Sequence, residues 1–299
     1  MEAGNNYYES DGYNTAIIET ATNTLVTGSA GTVIPDGIKA IGDYAFYNCT
    51  GLTAIVIPEG VTTIGSYAYY QCNGVTSISL PNSLTSIASS AFRACTSLSE
   101  ATIPPGVTSI GSSAFSGCTK MKSINIPAGV AIINDDTFYK CENLTTISIS
   151  HGVTAIGRDA FSYCSKLAFI GLPSSITSIA NYAFQNCTGL TSIKSYITDV
   201  FRTGKNPFSN CPYATLYVPE GLVDEYESTP DWNKVNFIEE MPIIHDLNGD
   251  GSTNIADVVR LIEILLGPPS DKSYFYDVNN DEKINISDVV ALINILLSM

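Results

Sequence analysis

Cysteines stand at positions 49, 72, 95, 118, 141, 164, 187 and 211, six intervals of 23 residues followed by one of 24. A fixed period of this length is the mark of one supersecondary unit repeated many times. A unit that small cannot bury its own apolar face without a neighbour on each side. The chain is therefore expected to stack coils into a solenoid. Its function must be sought on the surfaces and at the ends.

Each repeat reads roughly L-x-x-I-x-I-P-x-G-V-T-x-I-G-x-x-A-F-x-x-C. One column is isoleucine throughout: Ile41, Ile64, Ile87, Ile110, Ile133, Ile156 and Ile179. Another is aromatic: Phe46, Tyr69, Phe92, Phe115, Phe138, Phe161, Phe184 and Phe208. The alternation Ile55-x-Ile57 predicts a strand that Pro58 ends and Gly60 turns, and Val61-x-x-Ile64 predicts a second, poorer one. The spacing in Tyr67–Cys72 predicts a short helical turn.

This unit resembles the BspA-like bacterial subclass of leucine-rich repeats over about residues 33–218. It departs from the general leucine-rich pattern in placing Gly60, Gly106, Gly129 and Gly152 where Asn or Cys is usual. The cysteines are accordingly expected on the turn side of each coil. The resemblance implies a right-handed α/β solenoid of about eight coils on a secreted or cell-surface protein acting in adhesion.

The formal charge of −15 is unevenly distributed. Residues 31–218 carry 10 basic and 9 acidic side chains, whereas residues 219–241 carry 7 acidic against Lys234, and residues 246–299 carry 9 against 3. A near-neutral stack with acidic ends offers no basic stripe, so nucleic acid is excluded as a partner. Membrane insertion is excluded for want of an 18-residue apolar span. No secretory signal is visible in Met1–Tyr8; export requires that one has been removed. One cysteine per coil in one register reads as a buried column of reduced thiols, with cross-coil pairing or metal use as the alternatives.

Both ends of the array should be closed. Ala16–Glu19 and Thr24–Val26 read as a strand pair over the first coil. Beyond the last coil, in which Ser195 replaces a strand aliphatic, Leu216–Val218, Glu220–Tyr226 and Phe237–Ile238 read as strand, short helix and extended segment, with Trp232 as the plug. Between the two apolar positions of each strand, the residues expected to face solvent are Val56, Ser79, Thr102, Asn125, Ser148, Gly171 and Lys194. This small, hydroxyl-rich face is a candidate for protein or glycan binding. Tyr44, Tyr47, Tyr67, Tyr70, Tyr139, Tyr163 and Tyr182 form a second candidate patch, for which edge packing between coils is the other reading.

After residue 241 the period vanishes. Asp246–Asp257 and Asp277–Asp288 are two 12-residue segments, 31 residues apart, with oxygen side chains at positions 1, 3, 5, 9 and 12. Hard oxygen donors at these positions, with a backbone carbonyl from position 7, converge on Ca²⁺. Each segment runs into a D-V-V-x-L-I-x-I-L-L stretch, apolar nearly all round. The pair resembles a type I-like dockerin, a small all-α module with tandem calcium loops that binds cohesin domains in polysaccharide-degrading assemblies. The resemblance implies two calcium ions. The first is held by Asp246, Asn248, Asp250, Ser252 (carbonyl), Asn254 and Asp257, the second by Asp277, Asn279, Asp281, Lys283 (carbonyl), Asn285 and Asp288. Glu282 stands where position 6 favours Gly, so the second site should be the weaker. The partner-reading positions are Ile255, Ala256, Ile262 and Glu263, then Ile286, Ser287, Ile293 and Asn294, unlike the Ser/Thr and Lys/Arg pairs usual in dockerins.

The organisation expected is an N-terminal cap over residues 1–34, a solenoid with its C-terminal cap over 35–241 and a dockerin domain over 242–299. No H-E-x-x-H, G-x-S-x-G, phosphate-loop or dinucleotide motif occurs, and the repeats hold few acids for paired-carboxylate chemistry, which reads as a noncatalytic protein. The expected function is an exported or cell-surface binding protein. Its solenoid takes a protein or glycan and its tail attaches, with calcium, to a cohesin-like partner. The alternatives are a structural solenoid with its calcium-stabilised tail packed on itself and an accessory subunit of a polysaccharide-degrading assembly.

Overall fold

A computed structural model of the chain describes residues 16–241, 255–266, 278 and 284–298. The 23-residue period becomes a parallel ladder. Ile55 lies opposite Ile78, Ile124 opposite Ile147 and Ile170 opposite Ile193, so like residues stack on like from coil to coil. One wall of the solenoid is built from Ala54–Val56, Ser77–Ser79, Glu100–Ala101, Ser123–Ile126 and Thr146–Ile149, followed by a second sheet of Phe169–Leu172, Ser192–Ser195, Thr215–Val218 and Phe237–Glu240. A second wall carries the two-residue strands that end in the isoleucine column, from Ala40–Ile41 to Ser178–Ile179. The stack counts about nine turns, against the eight expected from cysteines, because the capping strands add to both ends.

The third wall differs from expectation. The segment before each cysteine is a run of β-turns in place of a helical turn. Tyr47 N donates to Tyr44 O at 3.0 Å and Cys49 N to Phe46 O at 3.1 Å, while the alternate N–H groups of Tyr44, Phe46 and Asn48 leave the coil to bond Ser66, Ala68 and Tyr70 of the next at 2.7–2.9 Å. Two residues per coil take left-handed backbone, such as Tyr44 (φ 58°) and Asn48 (φ 57°), then Tyr67 and Gln71. A left-handed residue every fourth position prevents a helix from propagating. Aromatic and cysteine three apart share a face in either conformation, so the spacing alone did not separate them.

Inside, the aromatic column is one continuous stack. Successive rings from Phe46 to Phe208 lie 4.9–5.8 Å apart with planes within 14°. Beside it, each thiol from Cys72 to Cys211 donates to the carbonyl of the aromatic residue one coil back, at 3.1–3.3 Å. All eight cysteines are unpaired, and all but Cys49 are buried. The cysteines thus form a ladder of hydrogen bonds on the turn side, a donor role the apolar reading of the column did not include. Where the Ile-Gly step turns out of the second wall, Gly111 has no room for a side chain: a Cβ there would lie 2.4 Å from Ser89 N.

Both ends are closed. Ile17–Glu19 pairs antiparallel with Thr24–Thr27, which joins the second wall in parallel against Ala40–Ile41. At the other end a helix, α1 (Val223–Ser228), and a single 3-10 turn place Tyr226 and Trp232 over the last ring, both fully buried. Trp232 lies 5.7 Å from Phe208 and its Nε1 donates to Phe201 O at 2.8 Å. Ser195 is explained by the same cap. Its Oγ shares a 2.7 Å hydrogen bond with Tyr226 Oη, which also donates to Ile197 O at 2.8 Å, so an aliphatic there would leave the phenol short of a partner.

Candidate calcium module and recognition surfaces

Two further helices, α2 (Ile255–Leu266) and α3 (Ile286–Ser298), form the tail and share a separate apolar core of Val258, Leu261, Val278, Val289 and Leu292. Each helix opens within the predicted loop, so that position 12, Asp257 or Asp288, falls in its first turn, where the unpaired N–H groups favour an anion. Both carboxylates are completely buried. Asp288 ties the second loop together: Oδ1 accepts from Val278 N and Oδ2 from Asn285 N, each at 2.8 Å, while Asn285 Oδ1 accepts from Ser287 N at 2.9 Å. Buried carboxylates at the ends of acidic, oxygen-rich loops fit a hard divalent cation, because a buried charge requires compensation. Among the described residues no three Asp, Glu, His or Cys side chains converge on one point. The remaining predicted ligands, Asp246, Asn248, Asp250, Ser252, Asn254, Asp277, Asn279, Asp281 and Lys283, lie outside the described residues, as does Glu282.

The outward faces of the two helices are nearly superimposable in exposure. Ile255, Val259, Ile262 and Leu266 are 68, 50, 39 and 83 % exposed, and their counterparts Ile286, Val290, Ile293 and Leu297 are 68, 51, 38 and 81 %. The spacing i, i+4, i+7, i+11 puts each set on one side of its helix. Of the predicted partner-reading positions, Ile255, Ile262, Ile286 and Ile293 lie in these stripes. Ala256, Glu263 and Asn294 are also exposed, and Ser287 is half-buried with its N–H held by Asn285. Val259, Val290, Leu266 and Leu297 belong to the same stripes and were not singled out from sequence. The 3.6-residue period relates them to the predicted isoleucines but does not say which side of a helix apolar nearly all round stays open.

On the solenoid, Val56, Ser79, Thr102, Asn125 and Ser148 are exposed as expected, but Gly171 and Lys194 are buried. Lys194 sits in the ladder between Gly171 and Tyr217, and its ammonium lies 5.1 Å from the Tyr196 ring centre, a cation–π contact in place of solvent. The open hydroxyl-rich face therefore ends at the fifth strand. The tyrosines pair between coils: Tyr44 stacks on Tyr67 at 5.1 Å and Tyr47 on Tyr70 at 5.0 Å, with planes within 10°. Tyr44 and Tyr47 nevertheless remain about half exposed. Inter-coil packing and an accessible aromatic surface coexist in the same side chains. Further along, Lys140 Nζ lies 5.3 and 5.6 Å from the ring centres of Tyr139 and Tyr163.

Comparison with known proteins follows this division. The model for the BspA type leucine rich repeat region matches in six copies across residues 30–145 and 108–228, about two thirds of the chain. The model for the dockerin type I domain matches residues 244–297. The fold is similar to that of a leucine rich cell surface protein from Faecalibacterium prausnitzii A2-165, at 24 % identity and a TM-score of 0.55 over 81 % of this chain and 78 % of that one. It is also similar to a leucine-rich repeat protein from Eubacterium ventriosum ATCC 27560, at 25 % identity and a TM-score of 0.55; there the match takes in 69 % of this chain and half of the other. No curated protein matches. Among the described residues no helix is long and apolar enough to cross a membrane. With coils, thiol ladder and tail helices in place, the chain belongs to the BspA type leucine-rich repeat family and carries a dockerin type I domain at its C-terminal end.

Proposed function

We propose that this is a noncatalytic, exported or cell-surface binding protein whose tail docks, in the presence of calcium, on a cohesin-type partner while the solenoid presents a recognition surface for a protein or glycan. The duplicated apolar stripe carries this reading. Ile255, Val259 and Ile262, with Ile286, Val290 and Ile293, are exposed among the described residues and lie outside the tail's own apolar core. Exposed apolar surface in regular helical array is what a partner buries. Dockerin and BspA type families are typically extracellular and noncatalytic, which supports the location and the absence of turnover. The chain divides at about residues 34 and 241 into cap, solenoid and dockerin domain.

The calcium loops set this surface. Two ions, one in each twelve-residue loop, fix the starts of α2 and α3 and hence the spacing of the two stripes. Binding of the full chain to an immobilised cohesin, measured with calcium and again with chelator, tests the reading. Calcium-dependent capture that is abolished by Ile262→Asp combined with Ile293→Asp supports it. Equal capture with chelator, or no capture across cohesins of different types, refutes it. A glycan and matrix-protein array probed with the full chain identifies the ligand class of the solenoid.

A further inference from the structure

Outside the buried aromatic column, the turn wall carries two further columns, one placed two residues before each buried ring and one directly after it. Through the first four coils they read Tyr44, Tyr67, Ser90, Ser113 and Tyr47, Tyr70, Arg93, Ser116. The turn does not need the tyrosines. Arg93 N donates to Ser90 O and Ser116 N to Ser113 O at 3.1 Å, just as Tyr47 N donates to Tyr44 O at 3.0 Å and Tyr70 N to Tyr67 O at 3.1 Å. Ser90 and Ser113 also keep the left-handed backbone, both at φ 58°, which is a poor setting for an aromatic side chain. Tyrosines gathered in two adjacent coils therefore answer to something beyond the folding of a coil.

These tyrosines form one cluster. Tyr44 stacks on Tyr67 and Tyr47 on Tyr70, and the two stacks meet at 5.7 Å between Tyr44 and Tyr47 and at 5.6 Å between Tyr67 and Tyr70, with planes inclined by 51° and 60°. Each ring contact of these side chains is with another member of the cluster, and none of their hydroxyls is hydrogen-bonded among the described residues. Tyr44 and Tyr47 are 56 and 47 % exposed, and Asn48 beside them is exposed as well. The neighbouring carboxylate is engaged: Asp43 Oδ1 accepts from Ser66 N at 2.6 Å.

Resting on the reading of the solenoid as a recognition surface, we propose that this cluster is a binding site for a short neutral oligosaccharide, with pyranose C–H groups against the Tyr44 and Tyr47 rings and sugar hydroxyls on the phenols and the Asn48 amide. The negative face of an aromatic ring attracts C–H groups, and a phenol, like a sugar hydroxyl, both donates and accepts. The whole cluster offers at most about 400 Å² of tyrosine surface, against roughly 800 Å² per partner in a stable protein interface, so it suits a small ligand. Residues 31–218 carry 10 basic and 9 acidic side chains, a balance that gives a charged glycan no field to follow.

Titration of the full chain with cellohexaose, xylohexaose and mannohexaose, each followed by calorimetry and by tyrosine fluorescence, tests the assignment. Saturable one-site binding of at least one of them is expected. Tyr44→Ser combined with Tyr47→Ser installs the residues that Ser113 and Ser116 already supply at the same places of a later coil, so the stack should keep its melting temperature while affinity falls more than tenfold. Tyr67→Phe, which keeps the stacked ring and removes one hydroxyl, should weaken binding by less than the double variant. Failure of all three sugars to saturate overturns the proposal, as does undiminished affinity in the folded double variant. Capture of a matrix protein or a charged glycan by wild type and double variant alike would preserve the recognition reading and remove this site from it. Cohesin capture should be the same in both proteins, so the tail is judged separately.

Discussion

A thiol that donates to a carbonyl in the coil beneath it is a structural hydrogen-bond donor, and its chemistry follows from that position. Burial pushes the thiols of Cys72 and Cys141 up to about 12, and raises that of Cys118 as well. They stay protonated in the folded chain and ionise from about pH 9 once it unfolds. The unfolded state then holds fewer protons, so stability is intact below about pH 9 and falls as pH rises from there toward about 12. Urea midpoints should be level from pH 7 to 8.5 and drop by pH 10.5. Under native conditions at pH 8 a thiol reagent should label Cys49, the one partly exposed cysteine, well before the other seven. Fast labelling of all eight would show that the ladder opens. In the neighbouring column, Phe115 is buried between Phe92 and Phe138 at 5.4 and 5.8 Å, and Phe115→Ala should cost about 3–5 kcal/mol in denaturant titration, with no end of the stack near enough to relax into the space.

At the scale of elements, what the sequence made legible was whatever repeats in register. The isoleucine and aromatic columns and both walls of strands could be placed from spacing, because burial in a stack is dictated by period. Three features were not legible, each because it depends on something other than period. The turns before the cysteines are left-handed at residues such as Tyr44 and Tyr67, whose side chains do not favour that backbone; the inter-coil hydrogen bonds on either side impose it. Lys194 reads as solvent-facing by strand alternation, yet it is buried against Tyr196. The stripe residues Val259 and Val290 were hidden because the tail helices are apolar nearly all round, so sequence alone could not say which side the module keeps. Their arrangement makes a prediction. Since the two stripes match in composition and exposure, Ile262→Asp or Ile293→Asp alone should reduce cohesin binding by less than tenfold, and the pair together should reduce it more than a hundredfold, read by titration calorimetry. In the same module, calcium titration should resolve two unequal sites, and Glu282→Gly should bring the weaker toward the stronger, because position 6 of such a loop favours glycine by about 1 kcal/mol.

Across the whole molecule, the two apolar cores are distinct, one running through the coils and one confined to α2, α3 and Val278. Stability should follow the same division. Chelation should remove helical signal from the tail and leave the β-solenoid spectrum and its melting transition unchanged, whereas calcium should restore an independent transition. A single transition shifted as a whole by chelator would show that the two cores fold as one. The near-neutral repeats carry little long-range field, so added salt should alter the solenoid's melting temperature far less than that of the acidic tail.

The parallel ladder makes the central coils interchangeable in one respect: their backbone donors and acceptors are matched by the coils directly above and below, at an offset of 23 residues. Adding or deleting one 23-residue block would lengthen or shorten the stack by about 4.8 Å and disturb neither closure. The molecule is in that sense a graduated spacer, and the reach between its two extremities can change only in whole steps.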